Sequence, residues 1–133
     1  MKTIDLKPNH RRSFSSTLFL LEKMVAEVRE VLSADSDLRM QKVTKDLGEG
    51  KKNEVFDALG LLEKEIGRLA DKYQLPPQEM VESHFLNSRK SKAWEILNDS
   101  LSKRMNGFGE FPAELAREFD ADIEGLLKLV AKL

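Results

Sequence analysis

Apolar residues recur along this chain in steps of three and four, the spacing that keeps a row of side chains on one side of an α-helix. Four such rows can be traced. Phe14, Leu18, Leu21, Val25, Val28 and Leu32 form the first, and Val55, Phe56, Leu59, Leu62, Ile66, Leu69 and Tyr73 the second. Met80, Val81, Phe85, Trp94, Leu97, Leu101 and Met105 form the third, and Leu115, Phe119, Ile123, Leu126, Leu127, Val130 and Leu133 the fourth. No segment alternates apolar and polar positions as a half-buried strand would. The pattern predicts an all-α protein, a four-helix bundle of approximately up-down-up-down topology.

Capping and helix-breaking residues set the boundaries. The first helix is expected over 13–32, with Ser13, Ser15, Ser16 and Thr17 as candidate N-caps. Ahead of it, residues 1–12 read as a basic N-terminal arm in which Lys2, Lys7, Arg11 and Arg12 outweigh Asp5. Residues 13–133 read as a single helical-bundle domain. Asn53 caps the second helix, which Pro76-Pro77 stops, since the residue before a proline avoids the helical region. Gly60 and Gly67 flank its row, either to admit a close neighbour or because the site tolerates them. The third helix is expected to open at Pro77. Its row changes phase: Val81 and Phe85 define one side, while Trp94, Leu97 and Leu101 lie nearly opposite. The wholly polar run between them predicts a kink or break near 87–92. Pro112 opens the fourth helix, with Phe111 placed to pack back onto Leu115 or Ala116. The connection 34–50 is long for a compact domain. Met40, Val43 and Leu47 share helical spacing there, so a short extra helix is expected.

Composition narrows the function more than the fold. A chain of 133 residues can bury a core without disulfides or a metal. It has no cysteine, which excludes thiol catalysis and thiolate-held metals and fits a reducing, cytoplasmic setting. A net charge of −1 argues against bulk attraction to nucleic acid, and no apolar run has the length of a membrane span.

Candidate chemistry is sparse. Only His10 and His84 could supply imidazole, and Glu79 and Glu82 stand at the wrong spacing from His84 to share its helix face as metal ligands. The segment 120–125 copies the first half of a calcium loop, but its twelfth position is Ala131 rather than a bidentate glutamate. The run His84-Phe85-Leu86-Asn87-Ser88 resembles histidine phosphotransfer domains, four-helix bundles with an exposed phosphoaccepting histidine in mid-helix. That resemblance implies His84 as the phosphoacceptor; Asn87 stands where the family has lysine and Ser88 where it has a small residue. The segment 69–92 looks like a helix-turn-helix, with Ala70, Leu75 and Val81 at its apolar positions and Arg89, Lys90 and Lys92 as candidate DNA contacts. Gln74 takes the place of the usual turn glycine, and Glu79 and Glu82 would face the groove. No catalytic set, cofactor motif or metal site is expected.

The surplus of apolar residues points to binding instead. Phe19, Leu20, Met24, Val31 and Leu61 exceed what one row per helix requires and are a candidate interface for a protein partner or a second copy. Residues 110–124 carry a local charge of −5 and residues 89–104 one of +3, an asymmetry able to steer association. The sequence thus predicts a non-enzymatic interaction protein, as a homodimer that Leu20→Glu would dissociate without unfolding.

Overall fold

A computed structural model describes residues 2–133. The described residues form five helices, α1 (Pro8–Leu32), α2 (Glu49–Lys72), α3 (Glu82–Asn98), α4 (Ser102–Met105) and α5 (Ala113–Val130), and no strand beyond isolated bridges. The all-α class is therefore as the periodicity predicts; α1, α2 and α5 carry nearly all of the first, second and fourth rows, whereas of the third row only Phe85, Trp94 and Leu97 lie in α3. Contacts divide the chain into two compact units, Met1–Gln78 and Glu79–Leu133.

The first unit is an antiparallel hairpin of α1 and α2. The Phe14 ring meets Tyr73 edge-on at 5.3 Å near one end, and Arg29 pairs with Glu63 toward the other. Leu18 and Val25 from α1 and Leu59 and Ile66 from α2 are buried between them, each burial contributing roughly 1.5–3 kcal/mol before entropy. Helix α1 starts at Pro8 rather than Ser13, because proline's fixed φ suits the first helical position and its missing N–H is not needed there. The expected serine caps therefore lie inside the helix: Thr17 Oγ1 donates to the Ser13 carbonyl at 3.2 Å, and Ser15 is buried. Ahead of Pro8, the Ile4 N–H donates to the Lys72 carbonyl at 2.7 Å, tying the N-terminal segment to the end of α2.

The short helix expected within 34–50 does not form. Leu38 and Gln41 exchange backbone hydrogen bonds around a two-residue turn, and the Asp37 carboxylate takes the Val43 N–H at 2.9 Å. These local bonds compete with helical ones. Lys45 Nζ reaches back to the carbonyls of Val31 and Ser33 at 2.9 and 2.7 Å. It satisfies orphan acceptors at the α1 C-terminus with a cation of the favourable sign. Met40, 92 % exposed, packs on nothing.

Helix α2 begins at Glu49 behind Gly48, four residues before Asn53. It ends with Gln74 in the left-handed region (φ 53°), where Leu75 N–H bonds Ala70 O and Gln74 N–H bonds Asp71 O. That pair of bonds is the Schellman closure. Gly60 and Gly67 admit no close neighbour: a Cβ at either would meet nothing within 4 Å. Both are thus tolerated rather than required. Gly60→Ala and Gly67→Ala are each expected to raise stability by about 0.8–1 kcal/mol, read as a higher denaturant midpoint at unchanged m-value.

In the second unit, α3 runs antiparallel to α5, and Lys90 Nζ donates to the Ala131 carbonyl at 3.1 Å. Helix α3 opens at Glu82, not at Pro77: residues 75–81 form no regular structure, and Val81 just before the helix is extended. Their start is pinned to α1, where Ser15 Oγ donates to Pro76 O at 2.9 Å and accepts from Gln78 Nε2 at 3.2 Å. The kink expected near 87–92 is also absent, and α3 is continuous through Asn98. Residues 82–89 are exposed throughout, so no neighbour enforces the change of phase. The break falls instead at 99–101, where extended Leu101 leads into α4. Phe111 packs on Phe119, with ring centroids 4.9 Å apart, one turn beyond the expected Leu115 or Ala116. Ile123 is the buried apolar side chain of this unit.

Candidate functional site

Each hairpin leaves one side uncovered. In α1 the inward row contains Leu21, Val25, Val28 and Leu32; the residues one position earlier include Leu20, Met24 and Val31, all exposed. In α2 the inward row contains Leu59, Leu62, Ile66 and Leu69, and Leu61 again stands one position earlier, exposed. A step of one residue rotates about 100° around the axis, and in antiparallel helices the same step leads to the same side of the pair. Leu20, Met24, Val31 and Leu61 therefore share one side of the hairpin, with Leu20 and Leu61 65 % and 68 % exposed. The Glu65–Arg68 ion pair, with bonds of 2.6 and 3.0 Å, continues the Leu61 row. The Arg68 guanidinium holds the Glu65 carboxyl below its ordinary value.

Phe19 does not belong to that side. It is half-buried under the Lys23 ammonium, 5.2 Å from the ring centroid, and lines an open groove of about 370 Å³ with Ser15, Leu18, Ile66, Ala70 and Pro76. The Ser15 proton is donated to the Pro76 carbonyl. That hydroxyl clamps the chain after α2 and is not poised as a nucleophile.

The second unit repeats the arrangement. The inward rows are Lys90, Ala93 and Leu97 on α3 and Ala116, Phe119, Ile123, Leu127 and Val130 on α5. One position earlier lie Arg89, Lys92 and Ile96, with Phe85 a turn before them, and Leu115, Glu118, Asp122, Leu126 and Leu129. All are exposed. The sequence rows absorb Phe85, Leu115 and Leu126 into the core and pass over Ile96 and Leu129. The available signal was that apolar residues fill two adjacent rows, 126–127 and 129–130, where a single partner can cover only one.

The candidate DNA contacts are engaged within their own unit. Arg89 stacks 4.5 Å from the Phe85 ring centroid, Lys90 caps the end of α5, and Lys92 stands 3.9 Å from the Glu95 carboxylate. A helix-turn-helix joins its helices by a turn of about 3–4 residues. Nine non-helical residues, 73–81, separate α2 from α3, so 69–92 does not form one. His84 lies exposed in the first turn of α3 rather than in mid-helix. Among the described residues no three His, Asp or Glu side chains gather as a metal site would require.

Asp120, the head of the calcium-like segment, has a structural role. Its carboxylate accepts the Ser102 N–H at 2.8 Å and the Ser102 hydroxyl at 2.6 Å, capping α4 from α5. The Ser102 hydroxyl and backbone bonds hold the Asp120 carboxyl below its ordinary value, against the opposing effect of burial. A lowered folded pKa means that the ionised form contributes stability above the unfolded value and loses it as pH falls through the folded one. The melting temperature of Asp120→Ala should therefore lie below wild type at neutral pH. The gap should begin to narrow beneath the ordinary aspartate range and close on further acidification.

Among the described residues no helix is long and apolar enough to cross a membrane. Comparison with protein-family models, with curated proteins and with solved structures finds no match to this chain.

Proposed function

We propose that this protein acts without bond chemistry of its own, as a helical module that binds polypeptide, either a partner or another copy of itself, through the uncovered sides of its hairpins. One observation carries this reading. Among the described residues, eighteen large apolar side chains are exposed and five are buried, an excess that isolated surface hydrophobes do not explain when so many fall in rows on one side of each helical pair. The exposed Leu20, Met24 and Val31 lie along one face of α1, and an apolar row of that kind suits another amphipathic helix laid alongside. The lack of cysteine and the balanced charge fit work in the reducing cytoplasm.

The test compares capture by the intact chain with capture by Leu20→Glu/Leu61→Glu. Both positions are exposed, so the variant should keep the helical CD signal. A polypeptide held by wild type and lost by the variant, including an untagged copy of this chain, supports the reading for the first hairpin. Equal capture by both removes it there, and a lost CD signal would show these leucines to be core.

A further inference from the structure

We propose that the first hairpin binds a small amphipathic carboxylate in the trough between α1, α2 and the returning segment 75–78. This goes beyond the polypeptide-binding reading and uses a different surface from the Leu20–Leu61 side. Two cavities make the trough. The first is the groove of about 370 Å³ that Phe19 lines, with Leu18, Ile66, Ala70 and Leu75 as its other apolar walls. The second, of about 220 Å³, is lined by Pro8, Arg11 and Arg12. Ser15, Pro76, Pro77 and Gln78 line both, so the two are continuous. On α1 the trough follows positions 11, 12, 15, 18, 19 and 22, one face of the helix. A few hundred Å³ of apolar wall with a few polar groups is the size and character of a small-molecule site. One turn of a helix about 10 Å across fills on the order of 400 Å³, so the groove suits a small molecule rather than another helix.

The polar groups set the head group. Arg11 pairs with Asp5 through Nη2, but its Nε–H is buried and has no acceptor, whereas buried donors are ordinarily paired. Among the described residues Arg12 meets no carboxylate. Gln78 donates one amide N–H to Ser15 Oγ at 3.2 Å and carries a second. The first turn of α1 has no acid, and that end of the helix is positive. These groups are donors, and a carboxylate accepts at both oxygens in the geometry a guanidinium presents. Arg11 and Arg12 against Asp5 leave a single positive charge, which a carboxylate matches and a phosphate exceeds. At the opposite end Glu22 lines the groove and repels an anion. The carboxylate therefore lies toward Arg12 and the apolar body toward Phe19, about 10 Å further along α1.

The experiment titrates octanoate into the full chain and follows methyl and amide NMR shifts. Wild type is expected to bind it at millimolar concentration, with saturable shifts at Leu18, Ile66, Leu75 and Gln78. Octylamine, the same chain with a cationic head, should bind at least about tenfold more weakly. Arg12→Glu, at an exposed position, should keep wild-type helicity by circular dichroism, weaken octanoate at least about tenfold and lose the preference for it over octylamine. Ala70→Phe fills the groove and should bind neither; should it lose its helical signal, the head-group preference of Arg12→Glu decides alone. Leu20→Glu/Leu61→Glu should bind octanoate as wild type does, since neither leucine lines the trough. The carboxylate site and the polypeptide-binding reading therefore stand or fall separately. Octanoate that moves no groove resonance at millimolar concentration overturns the proposal. So do equal binding of octylamine by wild type, shifts spread over Leu20, Leu61 and Leu126 as on any apolar surface, or unchanged octanoate binding by Arg12→Glu. A polypeptide captured by wild type and lost by Arg12→Glu, with octanoate inert, would give the trough to polypeptide and overturn the small-molecule site.

Discussion

Leu59→Ala is expected to unfold the α1–α2 hairpin under conditions in which Leu61→Ala leaves it folded. The two leucines are two residues apart on one helix and differ in what they touch. Leu59 is 4 % exposed and packs within a core whose other buried apolar members are Leu18, Val25 and Ile66, while Leu61 is 68 % exposed. Removing three buried carbons costs about 2–5 kcal/mol, the transfer energy plus the cavity left behind. Domains have about 5–15 kcal/mol in all, and a core of four buried apolar side chains has little left to absorb the loss. An exposed leucine changes stability by about 0.5 kcal/mol or less. Urea denaturation followed by far-UV CD separates the two. A pair of equal midpoints would show that the inward row has been assigned to the wrong side of α2.

Ile123→Ala is expected to release the second unit with little effect on the first. Ile123 is 8 % exposed and is the one large apolar side chain buried in Glu79–Leu133. The truncation should again cost about 2–5 kcal/mol. The ring pair of Phe111 and Phe119 and the Asp120 cap of Ser102 would then be left to hold α4 and α5. Hydrogen exchange resolved by fragment should show amides of α3 and α5 exchanging far faster in the variant. Those of α1 and α2 should keep wild-type protection. Uniform acceleration along the whole chain would contradict this, as would wild-type protection everywhere.

The helices were legible in the sequence because rows such as Leu18, Leu21, Val25 and Leu59, Leu62, Ile66 repeat the helical period without interruption. Their ends were not. The start of α1 depends on Pro8, whereas the serines that imitate caps lie inside the helix, and one of them, Ser15, has its partners in Pro76 and Gln78, distant in sequence. The loop 34–50 carries a helical spacing that Asp37, through one hydrogen bond, and Lys45, through three, override. The phase change in α3 resembled a kink only on the assumption that every apolar residue has a neighbour; Phe85 and Trp94 are exposed. Of the candidate interface, the exposure of Leu20, Met24, Val31 and Leu61 follows from their place one step ahead of the inward row. Phe19 sits one step further round, in a groove that exists only because the Pro76 segment folds back over α1. Which of two adjacent apolar rows turns inward is decided by packing, and a periodicity shared by both cannot reveal it.

Carbene footprinting of Leu20, Leu61, Leu126 and Leu129 tests the central claim most directly, comparing the dilute isolated chain with the same chain in an extract of its native cell. Heavy labelling in isolation and protection in the extract, with Leu59 and Ile123 unlabelled in both, is the result that uncovered binding faces predict. Labelling that is equally heavy in both settings, or protection already complete in the dilute isolated chain, would contradict it.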